Sequence, residues 1–159
     1  MTVDDLAPLF EGAPGFLARL ESERPFETED ALFDRARAIA HAMPEADQLE
    51  LIDAHPRLGA SPETVSALSF AEQGYDRNHA TDLAADLARA NEAYEAQFGF
   101  RYCVFVAGRP RETLLPDMTA ALGRDRAFEI HRALDAVVDI ARDRVSKAIG
   151  PAPANEETT

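Results

Sequence analysis

Apolar residues recur at helical spacing along almost the whole chain. Between Ala80 and Phe98, Leu83, Leu87, Ala90, Tyr94 and Phe98 step by four and three, the stripe of an amphipathic helix. A longer stripe from Arg126 to Ile149 carries Ile130, Leu134, Val137, Ala141, Val145 and Ala148. From Thr28 to Met43 a threonine cap and two acids precede Leu32, Ala36, Ile39 and Ala40, which predicts a third helix. Pro44 suits the first turn of a fourth, carrying Leu49 and Ile52 toward His55. Ser61-Pro62-Glu63 reads as the start of a short helix, and Arg109 to Gly123 as a helix broken or kinked at Pro116. Tyr102 to Val106 is β-branched and aromatic, and it reads as an extended segment. One isolated strand cannot make a sheet, so it is expected to pack on helices. The pattern predicts an all-α, single-domain helical bundle over residues 1–150, with an irregular loop from His55 to Gln73 carrying the site. Gly150-Pro151-Ala152-Pro153 ends the fold, and a disordered tail is expected over 151–159.

Composition narrows the partners. At 159 residues the chain can bury about two-thirds of its unfolded surface without disulfides or a metal. A formal net charge of −13 argues against nucleic acid and against an anionic membrane surface. An acidic protein that binds an anion must supply a local cation. Lys147 is the only lysine, which reads as compositional bias toward arginine. Cys103 is the only cysteine, so no intrachain disulfide can form, as suits a reducing compartment. Met1 to Phe10 lacks the basic and apolar regions of a signal peptide, no apolar run spans a bilayer, and the last residues carry no peroxisomal address. A soluble, cytoplasmic protein is expected.

The chemistry concentrates in two short stretches, Ala54-His55-Pro56-Arg57-Leu58-Gly59 and Ser69-Phe70-Ala71-Glu72-Gln73. Proline after His55 biases it toward extended backbone, so a helix ends there and the imidazole meets a cleft. Imidazole suits proton transfer near neutral pH. His41, His79 and His131 lack that setting and read as structural. Ser69 and Glu72 also fit a capping box, and a helix start offers free N–H groups to an anion as well. At about 100° per residue, Arg142 and Arg144 lie roughly 80° either side of the last helix's stripe; the geometry does not choose between them. The extended stretch to Gly108 leaves backbone groups that must find partners. No metal-ligand spacing, phosphate loop or nucleophile elbow occurs, and Cys103 sits among apolar residues, where a thiol is inert.

These stretches, with Arg24-Pro25-Phe26 and Phe98-Gly99-Phe100-Arg101-Tyr102-Cys103-Val104, make the chain resemble the OHCU decarboxylases, which act on 2-oxo-4-hydroxy-4-carboxy-5-ureidoimidazoline in urate degradation. The resemblance runs from the first helix to Arg144. It implies a cofactor-free carboxy-lyase acting on a small anionic substrate and yielding S-allantoin, because the substrate's own imine takes up the electron pair left by CO2. It implies that His55 is the catalytic acid and Glu72 its partner carboxylate, raising the imidazole's proton affinity. It places Pro56, Ser69, Phe70, Ala71 and Gln73 against the substrate, with the backbone of Val104, Phe105, Val106, Ala107 and Gly108. Arg144 aligns with the family's arginine and would meet the substrate's charge. A homodimer is compatible with the sequence. The chain departs from the family's pattern in Gly74-Tyr75-Asp76-Arg77 after Glu72-Gln73, in Arg101 where a proline is usual, and in lacking the upstream Ser-Pro-Trp-like element, since it contains no tryptophan. Tyr75, Asp76 and Arg101 could change the pocket's shape or polarity. The alternatives are activity on another small ureido or imidazoline acid, and a non-catalytic helical binding module.

Overall fold

The long stripe of the last helix is the surface on which the rest of the molecule assembles. A computed structural model describes residues 6–58 and 80–149. A 3-10 turn, Ala7–Phe10, is followed by α1 (Pro14–Glu21), α2 (Glu29–Ala42), α3 (Glu45–Asp53), α4 (Ala80–Phe98), α5 (Arg111–Ala121) and α6 (Arg126–Ile149). Among the described residues there is no strand, so the fold is all-α. α6 packs against α2, α3 and the 3-10 turn, α1 against α2 and α3, and α4 against α5. Ile130, Ala133, Leu134, Val137, Ala141 and Val145 of α6 are all buried, the spacing of one continuous helix face.

Local chemistry sets the helix ends. The Thr28 hydroxyl accepts the Ala31 N–H at 3.0 Å, and Glu29 and Asp30 occupy the positive first turn of α2. Pro44 is the cap residue of α3, one position before its first turn; its carbonyl accepts the N–H groups of Asp47 and Gln48, each at 3.0 Å. α5 runs through Pro116 without ending, so of the expected break or kink there is no break. Pro116 and Glu112, whose carbonyl loses its intrahelical partner to the proline, are both exposed, so water can take that bond. Gly99 at φ +82° closes α4, its N–H reaching the Glu95 carbonyl at 2.9 Å, as a left-handed residue after a helix end does.

Beyond Gly99 the chain is extended, and its alternation explains where it packs. Phe98, Phe100 and Tyr102 ring Tyr94 of α4 at centroid distances of 4.6, 5.7 and 5.1 Å. Below them lies a charged group the sequence does not advertise. Glu129 of α6 is fully buried; it accepts the Tyr94 hydroxyl at 2.6 Å and pairs with Arg124 at 3.2 Å and Arg132 at 3.0 Å. Arg132 in turn donates to the Cys103 carbonyl at 2.9 Å and lies over the Tyr102 ring. The extended segment is thereby tied to α6 through its own carbonyl.

The Ser61-Pro62-Glu63 helix start, Gly59 and the whole Ser69–Gln73 stretch lie outside the described residues, as do the 151–159 tail, Tyr75, Asp76 and His79.

Candidate active site

His55 sits two residues past the end of α3, just after the cap residue Ala54, where its N–H still reaches the Ile52 carbonyl at 3.1 Å. The side chain turns inward and is 4% exposed. Its Nδ1 lies 3.1 Å from the Leu51 carbonyl. A carbonyl only accepts, so Nδ1 carries the proton and, in the neutral ring, Nε2 carries the lone pair. Nε2 is buried and has no hydrogen-bond partner among the described residues. A buried polar atom left so is costly in a finished core and useful in a binding site.

The surroundings push this imidazole down to about 4, chiefly by burial and further by the nearby Arg144 charge; the Leu51 carbonyl and Glu11 oppose the shift. The described residues thus move His55 opposite to the direction expected from a partner carboxylate. At neutral pH the ring is neutral.

His55, Pro56 and Leu58 form one wall of a cavity, Tyr102 to Gly108 another, and Ile140, Asp143 and Lys147 of α6 a third. Of the expected substrate contacts, the structure brings Pro56, Val104, Phe105, Val106, Ala107 and Gly108 together around His55. The turn at the end of the segment has two successive left-handed residues, Ala107 at φ +52° and Gly108 at φ +76°. Arg109 closes it: its backbone N–H and Nε each reach the Val106 carbonyl at 3.0 Å, and Nη2 reaches the Phe105 carbonyl at 2.6 Å. Three carbonyls of this non-helical stretch, those of Cys103, Phe105 and Val106, therefore go to arginines.

Arg101 does not line the cavity. Its N–H donates to the Asp53 carboxylate at 2.9 Å, and its Nη1 to the carbonyls of Asp53 at 2.8 Å and His55 at 3.1 Å. It clamps the backbone on which His55 stands. A proline at this position could supply neither the N–H nor the guanidinium.

The two arginines of α6 part company. Arg142 is exposed, paired with Asp30 and laid over the Phe33 ring. The Arg144 side chain is 2% exposed, and its guanidinium donates to the carbonyls of Pro8 and Leu9 at 2.7 and 3.2 Å and to the Glu11 carboxylate at 2.8 Å. Arg144 ties α6 to the end of the 3-10 turn and is not among the residues lining the cavity. Lys147, which in the sequence reads only as compositional bias, does line it. The spacing Ile140, Asp143, Lys147 along α6 was the available signal, three residues on one helix face.

His41 and His131 stack in parallel, 4.8 Å between centroids, with Nδ1 atoms 2.5 Å apart and His41 Nε2 at 2.8 Å from Asp135. They join α2 to α6 away from the cavity. Cys103 is buried in the cavity wall. Among the described residues no group of three or more His, Cys, Asp or Glu could hold a metal ion, and no helix is long and apolar enough to cross a membrane.

The sequence model of the family described as OHCU decarboxylase matches residues 1–146. The chain belongs to the OHCU decarboxylase family. It is 29% identical to the 2-oxo-4-hydroxy-4-carboxy-5-ureidoimidazoline decarboxylase of Haloferax volcanii, over 91% of this chain and 87% of that protein. It is 30% identical to the uric acid degradation bifunctional protein PucL of Bacillus subtilis over 92% of this chain, which spans only 30% of that protein's length. Among solved structures, an OHCU decarboxylase crystallised in the presence of (S)-allantoin superposes with a TM-score of 0.74 at 21% identity, covering 92% of this chain and 98% of the other. That match carries the fold: the OHCU decarboxylase fold is an all-α bundle of this kind.

Proposed function

We propose that this protein catalyses the decarboxylation of 2-oxo-4-hydroxy-4-carboxy-5-ureidoimidazoline to (S)-allantoin in urate degradation. One observation carries the reading: a neutral, buried His55 in a cavity wall, its Nδ1 proton held by Leu51 and its Nε2 without a partner among the described residues. Support also comes from the family and from the names of its relatives.

The substrate's name supplies the chemistry. One ring carbon carries both a hydroxyl and a carboxylate, and its neighbour carries the ureido group. Loss of CO2 breaks the carbon–carboxylate bond. The bonding pair moves into the ring and on to the imine nitrogen, which takes one proton from solvent. The enol so formed still holds its hydroxyl proton. Nε2 of neutral His55 accepts that proton and returns it to the adjacent, ureido-bearing carbon. One substrate anion and one proton enter, and CO2 and allantoin leave. Delivery to one face gives one hand of product. Glu72 is proposed to work beside His55, with Ser69, Phe70, Ala71 and Gln73 against the substrate. The electron sink is the substrate's own, so no cofactor is required. We place the activity in the cytoplasm on the single, buried Cys103.

Arg101 clamps the backbone from outside the cavity lining, which removes one of the reasons to suspect a different ureido acid. The test is to generate the substrate from urate with urate oxidase and hydroxyisourate hydrolase, then follow allantoin formation by circular dichroism. Racemic product at the uncatalysed rate would contradict the proposal.

A further inference from the structure

An acidic protein that takes an acid as substrate needs a cation at the cavity, and Arg144 already has its carboxylate in Glu11. One turn further along α6, Lys147 is the only lysine of the chain and the only cation among the described residues lining the cavity of His55. Its Nζ lies 2.9 Å from the Asp143 carboxylate, and its side chain is 67% exposed against 25% for Asp143. Both residues line the cavity, so the pair stands at its mouth.

We propose that Lys147 is the residue that binds the substrate's carboxylate, with Asp143 as its resting partner. This rests on the decarboxylase reading given above. An unpaired Asp143 at the mouth would repel an arriving anion, and Lys147 cancels that charge. An exposed ion pair of this kind is weak, and an ammonium on a flexible four-carbon stem can exchange one carboxylate for another. Exposure also suits the chemistry. In decarboxylation the charge leaves the carboxylate for the ring, so a tight, dry ion pair to the carboxylate would stabilise the ground state and slow the step. A solvated lysine gathers and orients the substrate without that cost. The product has lost its carboxylate, so nothing holds it to Lys147 and the Asp143 pair re-forms as it leaves.

The test is steady-state kinetics of the wild type, Lys147→Met, Lys147→Arg and Asp143→Asn, with inhibition by (S)-allantoin measured for each. Lys147→Met should raise KM roughly tenfold, the worth of one charge-assisted hydrogen bond, with kcat and the allantoin inhibition constant unchanged. Lys147→Arg should restore most of the affinity, and Asp143→Asn should lower KM by freeing the lysine. An active wild type whose KM is unmoved by Lys147→Met would overturn this inference alone. Equal weakening of substrate and allantoin would overturn it too, since only the substrate carries the carboxylate. A wild type without decarboxylase activity would instead defeat the reading on which it rests.

Discussion

Arg101 holds His55 by its backbone: Nη1 donates to the His55 carbonyl at 3.1 Å while the same nitrogen reaches the Asp53 carbonyl at 2.8 Å. The bond joins the extended segment to the end of α3, the two walls that face each other across the cavity. The residue that most visibly breaks the family's pattern thus positions His55, for which we propose the catalytic role.

Arg101→Ala is expected to lower kcat about tenfold with little change in KM, because small displacements of a catalytic group cost rate more than binding. Paired kinetics and circular dichroism check this. A fall in KM affinity with kcat intact would mean that Arg101 meets the substrate instead.

The acid limb of kcat/KM should report the free-enzyme His55 near 4, well below the 6.5 of an ordinary imidazole. Nuclear magnetic resonance of the ring should show it neutral through pH 6. Stability follows with a definite sign. The unfolded chain protonates His55 below about 6.5 while the folded chain resists until about 4, so this contribution is complete above 6.5 and is lost as pH falls through that window. His55→Asn, which keeps a donor for the Leu51 carbonyl, should remove that part of the slope. A titration midpoint near 6.5 in the folded protein would contradict the burial argument.

Arg144→Ala should cost about 3 kcal/mol of stability, since it removes a buried guanidinium's bonds to the Glu11 carboxylate and to the carbonyls of Pro8 and Leu9. Arg142→Ala breaks an exposed pair and should cost less than about 1 kcal/mol. Chemical denaturation of both variants checks the ranking, and equal losses would refute it.

Much of this fold is legible in one dimension because its helices carry stripes. The bounds of α4 and α6 follow from Leu87, Tyr94 and Phe98 and from Ile130 to Val145, and Thr28 caps α2 as its side-chain chemistry requires. What the stripe cannot show is what stands opposite each edge. Arg142 and Arg144 are symmetrical on the helical wheel, yet one edge faces Asp30 and solvent while the other faces the carbonyls of the 3-10 turn. Glu129 looks like a surface acid because Tyr94, Arg124 and Arg132 reach it only through tertiary packing. His55 reads correctly as the end of a helix before a proline. Its neutral state depends on burial, which no local pattern encodes. Lys147 carries no local signal of its own, because its meaning lies in the cavity wall it shares with His55.

The most direct test of the account is the rate and handedness of allantoin formation by the wild type and His55→Asn, with substrate made in place from urate and followed by circular dichroism. The wild type should produce (S)-allantoin well above the uncatalysed rate. His55→Asn, folded by its far-ultraviolet spectrum, should lose ~10²–10⁴-fold, the worth of one positioned proton-transfer group. A variant that keeps full rate and full stereospecificity would show that His55 does not move the proton.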